Sequence, residues 1–392
     1  MDELCQHFTT HPFNNSFISE LASVSPIQVL DVAAGMGSLA LAARERYQRA
    51  QLTTLEFNSA SVLFLKEVMP EGVHLRADLL RLKVPTTVLQ LFEAADLVVC
   101  NPPFRVVERA LSQVLLKQVG IPTDWPIELR QRAEVAFIVH SLSMLKSGGE
   151  LGMFLPACFM TGHKYEPFRK WLLSSLTVDK VVGFPTSAFG GTQAKVFALI
   201  ARKLMPSQRH ETTLIDLGRD GLREGRIAVS RDDAIVRLDA SFHLAKTQQI
   251  ASTTLAALGA SIIRGWPVSK LMEKNFVCFH TTDFKSGGDR RVFAGNDSSI
   301  RFAPSATKGD FLLGRVGRTC HTQVLWVQGG STLISDCVYR VRLSRACWEA
   351  ARRSLLSEQG KQWRHSRLHG VGASVLSKRD LLEHPIWNVG AI

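Results

Sequence analysis

Short apolar runs recur through the first half of the chain, each followed by a stretch with helical spacing. The runs I-Q-V-L-D (27–31), L-T-T-L-E (52–56), V-H-L-R-A-D (73–78), D-L-V-V-C (96–100), G-E-L-G-M-F-L (149–155), V-D-K-V-V-G-F (178–184) and V-F-A-L-I-A (196–201) predict strands. S-L-A-L-A-A-R-E-R-Y (38–47) and A-E-V-A-F-I-V-H-S-L-S-M-L (133–145) predict helices between them, and K-S-G-G-E (146–150) reads as a helix stop followed by a turn. Strands alternating with helices point to an α/β fold with a doubly wound, mostly parallel sheet. After about residue 205 the pattern changes. Q-R-H-E-T-T (208–213) and G-R-D-G-L-R-E-G-R (218–226) read as polar connections. Beyond them, F-L-L-G-R-V-G-R, Q-V-L-W-V and T-L-I-S-D-C-V-Y-R-V-R-L predict strands, and A-C-W-E-A-A-R-R-S-L-L a helix. We therefore expect two domains, 1–230 and 231–392, the second of mixed α+β type.

Length agrees, since 392 residues exceed what one core usually holds. No apolar run of about 18 residues free of charge is present, so no membrane span is expected. The acidic, polar start M-D-E-L-C-Q-H-F argues against a signal peptide. Seven cysteines without paired spacing suggest reduced thiols in a cytoplasm, and no metal site is expected. Charge is more informative when divided. Residues 1–230 carry 24 Lys and Arg against 22 Asp and Glu, whereas 231–392 carry 23 against 13. A basic domain joined to a near-neutral one suggests a polyanionic partner, nucleic acid above all.

Candidate chemistry lies where the strands end. V-L-D-V-A-A-G-M-G-S-L (29–39) is a strand, a turn and a helix start, in which Gly35 and Gly37 would let the backbone approach a ligand. Glu56 ends the second strand, where a carboxylate can accept hydrogen bonds from a ribose diol. Asp78 ends the third and could accept from an adenine amine. C-N-P-P-F (100–104) ends the fourth: two prolines cannot donate to a ladder, so the strand stops, and Phe104 falls at its rim. The carboxyl ends of such strands are where open parallel sheets bind ligands. Ala40 stands where a dinucleotide loop has its third glycine, and the loop is not a phosphate-binding G-K-[ST] loop. A nucleoside cofactor without pyrophosphate fits better, S-adenosylmethionine foremost, with Asp31 facing its amino or sulfonium region.

These residues resemble the amino-methyltransferases of DNA, in particular the adenine-N6 enzymes and the modification subunits of type I restriction systems. D-V-A-A-G-M-G-S-L is similar to their loop D-P-x-x-G-x-G-x-[FL], with Val32 replacing proline. H-F-T-T-H-P-F-N-N-S-F-I (7–18) is similar to their aromatic-Thr-Pro segment, with Thr10 in the proline position. Residues 133–156, F-R-K-W-L-L (168–173) and F-P-T-S-A-F-G-G-T-Q-A-K-V-F-A-L-I (184–200) continue the likeness. The resemblance implies a Rossmann-like methyltransferase sheet, with Phe8, Thr9, Asp31, Ala33, Gly35, Gly37, Glu56 and Asp78 at the cofactor. It implies Asn101, Pro102, Pro103 and Phe104 as the catalytic motif. There the Asn101 oxygen and the Pro102 carbonyl would accept from a base amine and free its lone pair, while Phe104 stacks on the extruded base. Phe189 would close the other face of the base, with Phe184 as the alternative. R-L-D-A-S-F-H (237–243), G-D-F-L-L-G-R-V-G-R-T (309–319), L-I-S-D-C-V-Y-R-V-R-L (333–343) and G-V-G-A-S-V-L-S-K-R-D-L-L-E-H-P-I (370–386) look, in that order, like one target-recognition half of a type I specificity subunit. That likeness implies double-stranded DNA as partner, contacted at phosphates by Arg315, Arg318 and Lys378, and a restriction endonuclease or specificity subunit as further partners. Cytosine N4, or an amine of RNA or of protein glutamine, are rival acceptors. A non-catalytic DNA-binding protein on a decayed methyltransferase scaffold is the rival from another class.

Overall fold

The computed structural model describes residues 11–80, 91, 94–108, 116, 117, 119–189, 195–247, 253–273, 276–284, 288–291, 303–370 and 373–387. The chain divides into two compact units, Met1–His243 and Leu244–Ile392. Among the described residues no helix is long and apolar enough to cross a membrane.

The first unit is built on a nine-stranded sheet. Its strands are β1 (Gln28–Val32), β2 (Gln51–Glu56), β3 (Val73–Arg76), β4 (Ala95–Cys100), β5 (Leu145–Pro156), β6 (Thr177–Gly183), β7 (Val196–Arg202), β8 (Thr212–Leu217) and β9 (Arg223–Val229). They lie in the order 3-2-1-4-5-7-6-8-9. All neighbours from β3 to β5 are parallel, whereas β7 runs antiparallel to β5 and β6, and β9 antiparallel to β8. The order reverses between β1 and β4, which makes that crevice the topological switch point. Central strands are covered on both faces, and all four residues of L-V-V-C in β4 are fully buried, as parallel strands require. This is the doubly wound, Rossmann-like sheet expected from the sequence. The helices that position the site are α1 (His11–Glu20), α2 (Ser38–Arg46), α3 (Ser59–Val68), α4 (Ala133–Met144), α5 (Glu166–Ser175) and α6 (Arg231–Val236).

Three features differ from expectation. Of the segments read as polar connections, 212–213 and 223–226 are instead strand residues of the β8–β9 hairpin, whose polar outer positions belong to a sheet edge. Strand β5 starts at Leu145 rather than 149, because K-S-G-G is absorbed as an irregularity opposite Ala95, with Gly148 at φ 77°. The division between units falls after His243 rather than at 230. The R-L-D-A segment packs into the first unit: Arg237 and Asp239 form a buried two-pronged ion pair of 2.7 and 2.9 Å, and the Leu238 N–H donates to the Met160 carbonyl. Buried Arg169 of α5 donates to the carbonyls of Phe159, Gly162, Ile235 and Val236 and so holds α6 down.

The second unit holds a five-stranded sheet in the spatial order Ser261–Arg264, Val338–Arg342, Phe311–Gly314, Val324–Gly329, Gly288–Arg291. A three-stranded sheet (Cys278–Phe279, Ser331–Ile334, Ser305–Thr307) accompanies it. Phe311, Leu313, Val324 and Val341 on one face of the larger sheet pack with Ala351 and Leu355 of the predicted helix, observed as Trp348–Leu356. This is the mixed α+β character anticipated.

Candidate active site

Strand β1 delivers the turn 33–37. Ala33 has φ 63°, the one non-glycine residue at positive φ among the described residues, and such backbone strain concentrates at functional sites. Gly35 follows at φ 54°, and its N–H donates to Glu56 Oε2 at 2.8 Å. Glu56 Oε1 accepts from the Asn58 N–H at 2.8 Å, and Asn58 in turn caps α3 by accepting from the Ala60 and Ser61 N–H groups. Glu56 therefore ties the end of β2 to the glycine turn, using two of roughly four carboxylate acceptor positions and leaving others for a ligand. Gly37 also has a role within the fold. At φ 83° it caps α2, and a Cβ there would lie 2.5 Å from Leu65 Cδ2 and 3.2 Å from Met69 Cε. Its missing side chain makes room for Leu65 of α3.

Asp31 is buried on β1, and neither carboxyl oxygen completes a hydrogen bond among the described residues. Burial pushes its pKa up to about 7, the Ala40 N–H in the first turn of α2 opposing the rise and Glu56 adding to it. A buried carboxyl with little more than one backbone N–H beside it is costly to keep. A cationic or amine-bearing ligand would supply what it lacks, and the residues here fit a nucleoside carrying such a group.

The motif lies on the adjacent strand. In the parallel β1–β4 pairing Asp31 is opposite Val99, and Val32 opposite Cys100. The turn 33–37 and Asn101–Phe104 therefore leave the sheet side by side. The Cys100 thiol is pushed well up by burial and by Asp31 beside it. Asn101, Pro103 and Phe104 are half-buried and Pro102 is buried. The Pro103 carbonyl accepts from the Arg105 N–H at 3.2 Å, whereas the Pro102 carbonyl has no partner among the described residues. Phe104 packs against a cluster that contains Phe13, Phe17, Phe154, Phe184 and Phe189.

Phe189 is 2% exposed, edge-on to Phe154 at 5.3 Å and to Phe184 at 6.4 Å. In this arrangement it is a core residue, as is Phe184, and stacking on a base would require its ring to be uncovered first. Asp78 lies two residues beyond β3 and accepts from the Leu80 N–H at 3.1 Å. His140 of α4 was not singled out by sequence: it is buried, held neutral by that burial, and bonded to the Leu79 backbone, so it anchors the segment bearing Asp78. A histidine within an apolar helix gives no sequence signal of such a role. Phe8, Thr9 and Thr10 lie outside the described residues. In the second unit Arg318 and Lys378 are exposed, while Arg315 is half-buried and spends its Nε on the Asp336 carbonyl.

A Rossmann-like sheet, a glycine turn tied by a carboxylate, and N-P-P-F at the switch point thus stand together at one rim. The chain belongs to the N-6 DNA Methylase family, whose model matches residues 3–254. It is 30% identical over 114 residues to a protein of Methanocaldococcus jannaschii named as a type II restriction enzyme and methyltransferase, RM.MjaORFECS2P, covering 29% of this chain and 9% of that one. It is 25% identical over 210 residues to the type II methyltransferase M.PstI of Providencia stuartii, covering 46% of this chain and 39% of that one. The chain thus matches well under half the length of either relative. The methyltransferase subunit of a type I restriction-modification system from Streptococcus thermophilus superposes with a TM-score of 0.45 at 21% identity, over 60% of this chain and 52% of that one.

Proposed function

We propose that the protein is a cytoplasmic enzyme that transfers a methyl group from S-adenosylmethionine to the N6 amine of an adenine flipped out of double-stranded DNA. The observation that carries this reading is the placement of Asn101–Phe104 beside the Asp31–Gly37 turn across the switch point, in a chain of the N-6 DNA Methylase family. Bound there, S-adenosylmethionine supplies an electrophilic methyl group. Asp31, Glu56 and Asp78 would hold it with the backbone of the turn, and Phe8 and Thr9 would complete the enclosure.

An exocyclic base amine is a weak nucleophile because its lone pair is delocalised into the ring. The Asn101 side-chain oxygen and the Pro102 carbonyl would each accept one amine hydrogen, which turns the nitrogen toward tetrahedral geometry. No general base is needed, since the amine becomes acidic as it is alkylated. Extruding the base costs a few kcal/mol, and stacking on Phe104 offsets about 1–3 kcal/mol of it. The unit Leu244–Ile392 would recognise the target sequence. It carries 21 Lys and Arg against 10 Asp and Glu, and exposed Arg318 and Lys378 suit phosphates. Arg315 would act there mainly by supporting the loop. A restriction endonuclease or specificity subunit is the partner class this design suits.

The test is transfer of labelled methyl from S-adenosylmethionine to mixed-sequence duplex DNA, followed by identification of the modified nucleoside. N6-methyladenine is expected from the native chain. Asn101→Ala should lower its formation by at least about 100-fold, the scale of losing one positioned polar contact at a reacting group. Methylated cytosine, RNA or protein in place of adenine would overturn the assignment.

A further inference from the structure

Glu134, in the first turn of α4, is fully buried, and its carboxylate accepts from Arg132 through both Nε, at 3.1 Å, and Nη2. A buried ion pair is a weak source of stability, because desolvation consumes most of its attraction. What it fixes is therefore the better guide to why it is there. Arg132 forms an antiparallel bridge with Val106. Around it the Val107 N–H donates to the Gln131 carbonyl at 2.7 Å, the Ala133 N–H donates to the Arg105 carbonyl at 3.0 Å, and Gln131 Nε2 donates to the Glu108 carbonyl at 3.3 Å. The strip 105–108 leaves the Asn101–Phe104 motif directly, and the Arg105 N–H returns to the Pro103 carbonyl. On its other side the Arg132 guanidinium lies 5.9 Å from the ring centre of Phe159, in the segment that follows β5. Arg132 thus links the chain leaving β4, through its backbone bridge, to the chain leaving β5, through its guanidinium, and Glu134 holds that guanidinium in place.

We propose that Arg132 and Glu134 are positioning residues for the N-P-P-F motif. They hold 131–133 against 105–108 and thereby keep the Asn101 oxygen and the Pro102 carbonyl in one arrangement. The pair touches neither cofactor nor base and acts through the motif, so its effect on catalysis rests on the function proposed above. Glu134→Gln preserves shape but weakens the grip on the guanidinium, and Arg132→Lys preserves charge without the fork.

The experiment measures single-turnover methyl transfer to mixed-sequence duplex DNA for the full chain, with separate titrations of S-adenosylmethionine and DNA binding. Glu134→Gln should lower the transfer rate by about 10- to 100-fold, the scale of a misplacement near 1 Å, with both affinities changed by less than about 3-fold. Arg132→Lys should retain more activity than Arg132→Met. Amide exchange gives a readout independent of turnover: exchange at Val107 and Ala133 should accelerate in Glu134→Gln while core amides of β4 and β5 are unchanged. An unaltered transfer rate would overturn the proposal, and so would losses of rate, binding and core protection in parallel. If the native chain transfers no methyl to any acceptor, the functional reading fails. The exchange pattern then decides the positioning role by itself.

Discussion

Replacing Asp31 by asparagine should make the unliganded protein more stable and at the same time poorer at holding its cofactor. The Asp31 pKa rises from 3.8 to about 7 on folding. Between those values the native chain keeps a proton that the unfolded chain has released, so stability falls as pH rises through this window and the penalty is complete above pH 7. With 1.36 kcal/mol per pH unit, the ceiling is about 4 kcal/mol at pH 8 and about 2 kcal/mol at pH 5.5. Asparagine escapes the penalty at both. For a unit the size of Met1–His243, about 2–4 °C of melting temperature corresponds to each kcal/mol. Thermal melts of the unliganded protein should thus show an advantage for Asp31→Asn of up to about 8–16 °C at pH 8, shrinking by about half at pH 5.5. Adding S-adenosylmethionine should reverse the order, because only the wild type offers the ligand's positive charge an anion, and its gain should grow from pH 5.5 to 8. A gap between the two proteins that is the same at both pH values would refute the reasoning, as would an asparagine variant less stable at pH 8.

Three further substitutions probe the scaffold. Gly37→Ala combines positive φ with a Cβ 2.5 Å from Leu65, whereas Gly148→Ala, also at positive φ, meets nothing within 4 Å. Urea unfolding should give a loss of about 2–3 kcal/mol for the first and about 1 kcal/mol for the second, and equal losses would show that α3 does not press on Gly37. Arg169→Met removes the donor shared by four carbonyls and should lower stability by about 3–5 kcal/mol. A loss under about 1 kcal/mol would mean those carbonyls find other donors.

The central strands of the first unit were legible because burial on both faces turns a strand into an apolar run, and L-V-V-C has no other comfortable place. The β8–β9 hairpin was not, because R-E-G-R-I-A-V alternates at an edge and its polar half resembles a loop. R-L-D-A looked like the start of the second part, yet its Arg237–Asp239 pair closes on the first. Around the site, the order Asp31, Glu56, Asp78, Asn101 could be read from positions at strand ends, because topology carries every such end to one rim. Which contact each residue makes could not. Gly37 and Phe189 follow the motif in sequence, but one is occupied by α3 and the other by an aromatic cluster gathered from 13, 17, 154 and 184. Glu134 and His140 were invisible, since a polar residue inside an apolar helix shows nothing of its partner until the helix is placed.

The four carbonyls gathered by Arg169 bear on where this chain can be cut. A catalytic fragment ending near 230, where composition changes, would lack Ile235 and Val236 and leave a buried guanidinium holding only Phe159 and Gly162. It would also lose the Leu238 N–H from Met160 and Ser241 from Asp216, where it donates to Oδ2 through N–H at 2.8 Å and Oγ at 2.6 Å. A fragment extended to His243, the end of the first unit, keeps all of these. The shorter piece would expose hydrophobic and charged interior together, the combination that aggregates on expression, so the gene's apparent modularity is misplaced by about one helix.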